Sequence, residues 1–393
     1  MSSHAARAPG RLLRHSESSW VISHPMGEAP ACSDSITDRP GSSGKSKSAW
    51  ALSKFTLPPK ISVSGVRPTR ALLASFAKEP IGSPYGAAST ADDVIAGIDL
   101  SGRTAIVTGG YSGLGLVTTK ALSRAGAKVI VPARDLDRAE AALAGLESAE
   151  IAPMDLTDAA SVADFANGFI ASKRPLHLLI DSAGIMAAPL RRDAAGHETQ
   201  FATNHLGHFR LACLLWLALA DQGTRVIAVS SRGHQIAGVD FDDIDFERRP
   251  YDKWVAYGQS KTANVLFARA LDRRGKGSGV RAFSLHPGQI ITDLARHLSE
   301  EEMAGFDALD AQGRPIIDPA RGMKTPEQGA ATALWCATSP LLEGKGGIYC
   351  EDCDVAGINR TEMGRKGVAP RAINDEAAER LWTLSSQWTG CSC

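Results

Sequence analysis

The stretch "TAIVTGGYSGLGLVTTKALSRAGAKVIVPAR" (104–134) contains an apolar run, a glycine-rich turn, a helical pattern and a second apolar run. This order predicts a strand, a helix and a second, parallel strand. Gly109, Gly113 and Gly115 suit a tight turn, close approach of the backbone to a pyrophosphate, and close packing of the helix on the strand. A glycine cluster alone can be a plain turn, but the flanking strand and helix favour a dinucleotide-binding turn.

The same alternation of apolar runs and helical patterns continues along the chain from about residue 92. The predicted strands are 104–109, 128–133, 149–154, 176–181, 225–231 and 280–285. The helical patterns between them include 113–126, 135–147 and 158–172. Parallel strands joined by right-handed helical crossovers form a doubly wound α/β sheet. We therefore predict a Rossmann-type fold with helices on both faces of the sheet, in one catalytic domain over residues 91–393.

Residues 1–90 have a different composition, with 18 serines, 11 Lys/Arg and 5 Asp/Glu and no sustained helical or strand period. Such a segment cannot bury enough apolar surface to offset the entropy of ordering it. We predict a disordered N-terminal extension, or residues upstream of a mis-assigned start. A transit peptide is the alternative, because Arg7, Arg11 and Arg14 lie among serines, although two glutamates weaken it.

The composition of the chain excludes several classes of protein. The formal net charge is +0, and the basic surplus lies in the first 90 residues, so the main body does not have the charge of a nucleic-acid-binding protein. The longest apolar run, "LACLLWLALA" (211–220), is shorter than the roughly 20 residues of a membrane-spanning helix and predicts a buried helix. Seven cysteines without a secretory signal predict a reducing compartment and a cytoplasmic location, organellar only if residues 1–90 are a transit peptide. A homo-oligomer is compatible with the sequence.

The residues after the second and third strands bear on the choice of cofactor. A NAD site normally has an acidic residue at the end of the second strand, where this chain has Ala133 and Arg134. No carboxylate is present there to repel a 2′-phosphate, and a guanidinium can pair with one. This favours NADP(H) over NAD, the alternative being that Arg134 is a solvated residue before the next helix. Asp155, after the third strand, can hydrogen-bond the adenine amine or cap a helix.

Ser231 ends the fifth predicted strand, and Tyr257 and Lys261 follow on a helical stretch, four residues apart on one face. Ligands of doubly wound sheets bind beyond the carboxyl ends of the strands, which is where these residues are expected. Lowering the pKa of a tyrosine from about 10 to about 7 requires roughly 4 kcal/mol. An ammonium ~4 Å away at an effective dielectric constant of ~20 supplies about that amount. Tyr257 is therefore a candidate general acid and base, and Ser231 a candidate donor to the substrate oxygen.

Six motifs together resemble the classical short-chain dehydrogenases/reductases, in particular the retinol-dehydrogenase-like enzymes. They are "TGGYSGLG" (108–115), "DSAG" (181–184), "TNHLGHF" (203–209), "VSS" (229–231), "YGQSK" (257–261) and "HPGQIIT" (286–292). The resemblance spans residues 91–387 in the expected order. It implies a catalytic tetrad of Asn204, Ser231, Tyr257 and Lys261, in which Asn204 holds a water that relays protons to the lysine.

The resemblance also implies which residues contact the cofactor. The candidates are Gly109, Tyr111, Ser112, Gly113, Leu114, Gly115, Arg134, Asp155, Leu156, Ser182, Ala183, Gly184, Tyr257, Lys261, Pro287, Gly288, Ile290 and Thr292. The sequence departs from the family at "DSAG", where Asp181 and Ser182 replace the usual two asparagines. Asp181 introduces a carboxyl group beside the expected cofactor cleft, with consequences for the stability of the sheet or for cofactor affinity.

Three further features do not lead to a separate function. His205 and His208 lie three apart, but no third ligand with suitable spacing follows, so packing and hydrogen bonding are favoured and no metal is predicted. Cys350 and Cys353, after the short strand "GGIYC", predict two buried thiols rather than a zinc or redox site. The insertion at 293–324 predicts a lid, and its Leu294, Met303 and Phe306 are typical of an apolar ligand or of an amphipathic lid helix.

The sequence therefore predicts an NADP(H)-dependent oxidoreductase that interconverts an alcohol and a carbonyl group on a small hydrophobic alcohol, aldehyde or ketone. Reduction of a carbon–carbon double bond is an alternative, since it also uses a tyrosine proton and a hydride from NADPH. A non-catalytic NADP-binding sensor or scaffold is the alternative outside enzymes. The complete set of Asn204, Ser231, Tyr257 and Lys261 argues against a pure binder.

Overall fold

The computed structural model describes residues 79–306, 308–310, 312–361, 364 and 366–393. The predicted N-terminal extension lies outside the described residues as far as residue 78. Residues 79–90 were also assigned to the extension, yet they contact the domain, because Ile81, Gly82 and Ser83 donate backbone hydrogen bonds of 2.9, 3.1 and 3.2 Å to the carboxylate of Asp354. The described domain therefore begins before the predicted boundary at residue 91.

The described part of the chain forms one eight-stranded sheet with the strand order β3-β2-β1-β4-β5-β6-β7-β8. The strands are β1 (Thr104–Thr108), β2 (Lys128–Ala133), β3 (Ala149–Pro153), β4 (Leu178–Asp181), β5 (Arg225–Val229), β6 (Arg281–His286), β7 (Ile348–Glu351) and β8 (Asp354–Val355). All neighbouring strands are parallel except β7 and β8, which are antiparallel. The predicted Rossmann-type sheet is confirmed, and each of the six predicted strands is present.

Helices cover both faces of the sheet and form two apolar clusters with it. The helices are α1 (Ala91–Ile95), α2 (Gly113–Arg124), α3 (Leu136–Leu143), α4 (Ala159–Ala171), α5 (Thr199–Phe201), α6 (Gly207–Leu214), α7 (Trp216–Gln222), α8 (Lys253–Gly275), α9 (Glu300–Gly305), α10 (Pro326–Thr338) and α11 (Asp375–Thr389). A π-helical turn, Ala202–Leu206, joins α5 to α6. Ile106 and Val107, consecutive in β1, belong to different clusters, because side chains alternate between the faces of a strand.

The order of the strands locates the ligand cleft. The chain passes from β1 outward to β2 and β3, and then crosses back to β4 on the other side of β1. The connections that leave β1 and β4 therefore run in opposite directions and open a crevice at the carboxyl ends of these two strands. The glycine turn follows β1 and the "DSAG" motif follows β4, so both border this crevice.

The apolar run at 211–220 is not the single buried helix that the sequence predicts. The helix breaks at Leu215, between α6 and α7, and α7 lies at the surface, with Leu217 74% exposed. Leu211, in α6, is fully buried in the apolar cluster. Within the residues that the structure describes, no helix is long and apolar enough to cross a membrane.

Asp181 ends β4 in the centre of the sheet, in register with Thr108 of β1 and Ala228 of β5. Its side chain is buried, and neither carboxyl oxygen has a hydrogen-bond partner among the described residues. Burial in a medium of low polarity penalises the charged carboxylate and raises the pKa of Asp181 well above its ordinary value. Burial therefore favours the neutral carboxyl group of Asp181 in the folded protein.

We expect Leu211→Ala to lower the free energy of unfolding by about 2–5 kcal/mol, because it leaves a cavity in a close-packed cluster. The matched control is Leu217→Ala, which removes an exposed side chain of the same type and should change the free energy of unfolding by less than about 0.5 kcal/mol. Urea unfolding followed by circular dichroism measures both values. Equal losses in the two variants would contradict the described break between α6 and α7.

The neutral carboxyl of Asp181 predicts a stability that depends on pH. As pH rises above about 3.9, aspartate ionises in the unfolded state while the folded state keeps its proton, so folding becomes less favourable by up to about 1.4 kcal/mol per pH unit. Asp181→Asn removes this linkage, and the variant should gain stability over the natural chain as pH rises.

Urea unfolding at about pH 5 and about pH 7.5 measures the difference, since both values lie above the pKa of the unfolded carboxyl. Asp164→Asn, on the exposed side of α4, is the control, and its effect should not change with pH in this range. A stability difference for Asp181→Asn that is the same at both pH values would refute the neutral carboxyl.

Candidate active site

The glycine turn after β1 has the close packing that its sequence predicts. Gly109 adopts a φ of +65°, and a Cβ there would lie 3.0 Å from Cα of Ala183. A Cβ at Gly115 would lie 2.3 Å from the carbonyl oxygen of Gly109, a distance that no side chain tolerates. The turn therefore leaves its backbone bare at the N-terminus of α2, where N–H groups can bind a phosphate.

The hydroxyl of Thr108 connects this turn to the end of β4 and to α6. Its oxygen accepts hydrogen bonds from the backbone N–H groups of Ser182 (2.9 Å) and Ala183 (3.0 Å) and lies 2.9 Å from Nε2 of His208. Nδ1 of His208 lies 3.1 Å from the carbonyl oxygen of Asn204 and must donate to it, so Nε2 accepts from Thr108. Burial supports this neutral form by lowering the pKa of His208 to about 4.

The predicted motif at the nicotinamide end, which begins at Pro287, lies against the glycine turn. A Cβ at Gly113 would lie 3.6 Å from Cβ of Thr292. The side chains of Leu114 and Ile290 both lie against Gly329 of α10. A Cβ at Gly329 would be 2.7 Å from Cδ2 of Leu114 and 2.8 Å from Cδ1 of Ile290. Residues of the two motifs, separated by about 180 positions in the sequence, therefore line the same crevice.

Asn204 lies in the π-helical turn and is fully buried. Its side-chain oxygen accepts from the backbone N–H of Ile185 (2.9 Å), and its amide donates to the carbonyl of Ile185 and to the hydroxyl of Ser260 (2.9 Å each). A Cβ at Gly184 would lie 3.0 Å from Oδ1 of Asn204 and 3.5 Å from Nζ of Lys261. The bare backbone of Gly184 thus leaves a small space beside both side chains.

Ser231, Tyr257 and Lys261 come together at the carboxyl end of β5. The hydroxyl of Ser231 lies beside the ring of Tyr257, since a Cβ at Gly233 would be 3.4 Å from Oγ of Ser231 and 2.7 Å from Cε1 of Tyr257. Nζ of Lys261 lies 5.8 Å from the centre of the Tyr257 ring and donates a hydrogen bond of 3.1 Å to the carbonyl of Val229. The sheet and α8 therefore bring together the three residues of the predicted catalytic group, with Asn204 beside Lys261.

The pKa of Tyr257 differs from the sequence-based expectation. Burial raises the pKa of Tyr257 to about 12, and the Ser231 hydroxyl opposes this rise. Lys261 is buried as well, and desolvation lowers its pKa to about 8. The estimate of about 4 kcal/mol from the lysine omitted the cost of burying the phenolate, and that cost is the larger effect here.

Arg134 and Asp155 lie together at the ends of β2 and β3. Nη1 of Arg134 is 4.0 Å from Oδ2 of Asp155, and the Arg134 side chain is 71% exposed. Asp155 does not cap α4, because Asp158 is the N-cap residue. Its Oδ1 instead accepts hydrogen bonds from the backbone and hydroxyl of Thr157. Leu156, the next predicted cofactor residue, is buried beside the backbone of α6.

Two residues near the site were missed from the sequence. Arg138 donates to the hydroxyl of Ser112 (3.1 Å) and pairs with Asp293, so a second guanidinium lies beside the glycine turn. Its signal was its position in the first turn of α3, four residues after Arg134. Trp254 is the other, and its signal was its position three residues before Tyr257.

Trp254 connects the insertion at 293–324 to the tyrosine. The ring of Trp254 lies 5.5 Å from that of Phe306 and 6.4 Å from that of Tyr257, measured between ring centres. Lys253, the preceding residue, forms an ion pair of 2.6 Å with Glu302 of α9. Both contacts hold the insertion against the N-terminal end of α8, close to Tyr257.

The residues that were set aside have structural roles. His205 hydrogen-bonds the hydroxyl of Ser385 in α11 (2.8 Å) and packs among aromatic rings, as expected. Cys350 and Cys353 are buried thiols, as expected, and Cys353 lies 3.8 Å from the hydroxyl of Thr332. Among the described residues, no group of three or more histidine, cysteine and acidic side chains could hold a metal ion.

The family model for short chain dehydrogenase matches residues 103–303. A probable oxidoreductase of Streptomyces antibioticus is 48% identical over 297 residues, which cover 72% of this chain and 97% of that protein. Retinol dehydrogenase 12 of Homo sapiens is 37% identical over 300 residues, which cover 75% of this chain and 88% of that protein.

The solved structures agree with this relationship. The crystal structure of an uncharacterized protein from Mycobacterium Paratuberculosis is 34% identical and covers 78% of this chain and 98% of its own, with a TM-score of 0.60. A dehydrogenase/reductase from Sinorhizobium meliloti 1021 is 25% identical and covers 66% of this chain and 96% of its own, with a TM-score of 0.51. The chain is therefore an oxidoreductase of the short-chain dehydrogenase family, with relatives among the retinol dehydrogenases, and the family uses nicotinamide cofactors.

Proposed function

We propose that the protein interconverts an alcohol and a carbonyl group on a small apolar substrate, with NADP(H) as its cofactor. The observation that carries the proposal is that the hydroxyl of Ser231 and Nζ of Lys261 both lie beside the buried ring of Tyr257. These groups share the sheet edge with a glycine turn whose backbone is bare enough to approach a dinucleotide.

The bound nicotinamide would supply or accept the hydride, and the protein handles the proton. With a pKa of about 12, Tyr257 carries its proton at neutral pH and can donate it to the oxygen of a carbonyl substrate. Ser231, beside the tyrosine ring, holds the same substrate oxygen in line. Lys261, with a pKa of about 8, is mostly charged at neutral pH and stabilises the phenolate that proton donation leaves.

Two guanidinium groups support the preference for NADP(H). Arg134 is largely exposed at the end of β2, where the ribose of a dinucleotide lies in this fold. Arg138, bonded to Ser112 of the glycine turn, is a second cation at the same edge. A 2′-phosphate between them would gain charge-assisted hydrogen bonds that the bare hydroxyl of NAD cannot form.

Aromatic side chains support an apolar substrate. The ring of Trp254 packs against that of Phe306, which belongs to the insertion at 293–324. The centre of the Trp254 ring lies 6.4 Å from that of Tyr257. Aromatic faces at this position bury the apolar part of a substrate and leave its oxygen to Tyr257 and Ser231. The rings of Trp254 and Phe306 would bury a substrate with a carbonyl group and one with a conjugated double bond equally well. The proposed reaction therefore rests on the position of the Tyr257 phenol.

Tyr257→Phe tests the proton transfer. The variant should still bind NADPH but lose at least about a hundredfold in kcat for carbonyl reduction, since it has no proton to donate. A panel of hydrophobic aldehydes and ketones, followed by NADPH absorbance, measures the rates.

Tyr85→Phe, at a partly buried tyrosine in the apolar cluster beside α10, is the matched control and should keep full activity. Full turnover in Tyr257→Phe would show that another group donates the proton. A natural chain that binds NADPH but turns over neither carbonyls nor conjugated double bonds would identify the protein as a cofactor-binding sensor.

Arg134→Ala tests the cofactor preference. We expect the affinity for NADPH to fall by about tenfold or more and that for NADH to change by less than about twofold, because the guanidinium pairs only with the 2′-phosphate. Fluorescence titration of both cofactors measures these values. Arg174→Ala, which removes an arginine paired with Glu150, is the control. Equal losses for the two cofactors would exclude pairing with the 2′-phosphate.

A further inference from the structure

We propose that His234 and His286 are positioning residues that hold the peptide group between Ser231 and Arg232 from both sides and thereby orient the Ser231 hydroxyl. The proposal rests on the proposed function, in which Ser231 holds the substrate oxygen. Neither histidine takes part in the proton transfer that is proposed for Tyr257, Ser231 and Lys261.

The peptide group after Ser231 has a histidine at each end. Nδ1 of His234 lies 2.6 Å from the carbonyl oxygen of Ser231. The N–H of Arg232, in the same peptide group, donates a hydrogen bond of 3.1 Å to Nδ1 of His286. Because a peptide group is planar, these two bonds together fix its rotation about the backbone.

The hydrogen bonds require opposite tautomers of the two histidines. Nε2 of His234 accepts a hydrogen bond of 3.0 Å from the backbone N–H of Ala369, so its proton is on Nδ1, where it donates to Ser231. His286 accepts at Nδ1, so its proton is on Nε2. Burial lowers the pKa of His234 to about 4 and that of His286 to about 3, so both stay neutral in the range where the enzyme would work.

Gly233 connects the 231–232 peptide group to the Ser231 hydroxyl and to the ring of Tyr257. The hydroxyl oxygen of Ser231 accepts a hydrogen bond of 3.0 Å from the N–H of Gly233, two residues on. The backbone of Gly233 also lies against the tyrosine, since a Cβ there would be 2.7 Å from Cε1 of Tyr257. A rotation of the 231–232 peptide would therefore displace Gly233, and with it both the Ser231 hydroxyl and the tyrosine ring.

The position of His234 is itself held by residues from the C-terminal part of the domain. Ala369 binds its Nε2, and the ring of Tyr349 in β7 packs 4.9 Å from its own ring, measured between ring centres. Arg371 donates to the backbone carbonyls of His234 and Gln235. His234 thus connects the serine to a segment more than 100 residues away in the sequence.

Two substitutions at His234 separate the role at the serine from the role at Ala369. In His234→Asn the shorter amide reaches the place of Nδ1 and can still donate to Ser231, but it loses Ala369. In His234→Gln the longer amide reaches the place of Nε2 and can still accept from Ala369, but it loses Ser231. Both variants have one amide and lose one hydrogen bond, so their difference reports which bond matters for the reaction.

We expect His234→Gln to lower kcat by about 10- to 100-fold with KM within about twofold, because a misplaced catalytic hydroxyl affects the reaction more than binding. His234→Asn should keep kcat within about threefold of the natural chain, although its melting temperature falls. Leu211→Ala, which loosens an apolar cluster without touching the 231–232 peptide or the residues that hold His234, should lower the melting temperature and not kcat. Equal kcat losses in His234→Asn and His234→Gln would overturn the proposal.

The same logic applies to His286. His286→Asn places an acceptor oxygen near the position of Nδ1 and should keep most of kcat, whereas His286→Leu has a similar size and no acceptor. We expect His286→Leu to lower kcat by about 10-fold or more, with KM little changed. A His286→Leu variant with the kcat of His286→Asn would show that the bond to Arg232 does not orient the serine.

A measurement without turnover separates this proposal from the proposed function. Nitrogen-15 NMR of the histidine rings in the natural chain should show His234 with its proton on Nδ1 and His286 with its proton on Nε2, both neutral at pH near 7. The reverse tautomer at either residue would overturn the histidine contacts whatever the enzyme reduces. If the tautomers are as expected but no substrate of the panel reacts, the proposed function fails and the contacts stand.

Discussion

The hydroxyl of Thr108, at the carboxyl end of β1, is the contact on which the arrangement of the site depends. It accepts from two successive N–H groups after β4, Ser182 and Ala183, and donates to His208. His208 in turn binds the carbonyl of Asn204. One hydroxyl thus sets the distance between the glycine turn, the crossover after β4 and the π-helical turn. If these three elements drifted apart, neither the dinucleotide crevice nor the space beside Lys261 would keep its shape.

Burial has a different consequence for each ionisable group at this edge. Burial raises the pKa of Tyr257 to about 12 and lowers that of Lys261 to about 8, so desolvation moves the two values apart while both groups stay mostly protonated at neutral pH. Burial raises the pKa of Asp181 well above its ordinary value, because no hydrogen-bond partner among the described residues offsets the cost of a buried charge. A neutral Asp181 has nearly the shape and polarity of the asparagine that the family usually has there. This is why a carboxyl group at the centre of the sheet is compatible with the fold.

The fold and most of the crevice could be predicted because their signals are local. The apolar runs and the bare glycines near 109–115 depend on neighbours only a few residues away, and the structure has both. The pKa of Tyr257 could not be predicted in this way, because it depends on how much water the whole domain excludes. The break of the apolar run at Leu215 was also missed, since a run of apolar residues does not show which turn faces solvent. The turn between β7 and β8, where Asp352 and Cys353 have φ angles of +50° and +58°, was not predicted. The contact of Ala369 with His234 was not predicted either, because the two residues are far apart in the sequence.

The C-terminal part of the domain belongs to the site as much as the glycine turn does. The family model ends at residue 303, yet Ala369 and Arg371 hold the loop that follows Ser231, and Ser385 binds His205 next to Asn204. These contacts reach two members of the proposed catalytic group from outside the family model. A hydrogen bond of about 1 kcal/mol does little for the stability of a domain of this size, but it can decide the orientation of a hydroxyl that must lie within about 0.5 Å of its productive position. The residues after the nicotinamide motif therefore contact the loop that positions Ser231, although they include no member of the proposed catalytic group.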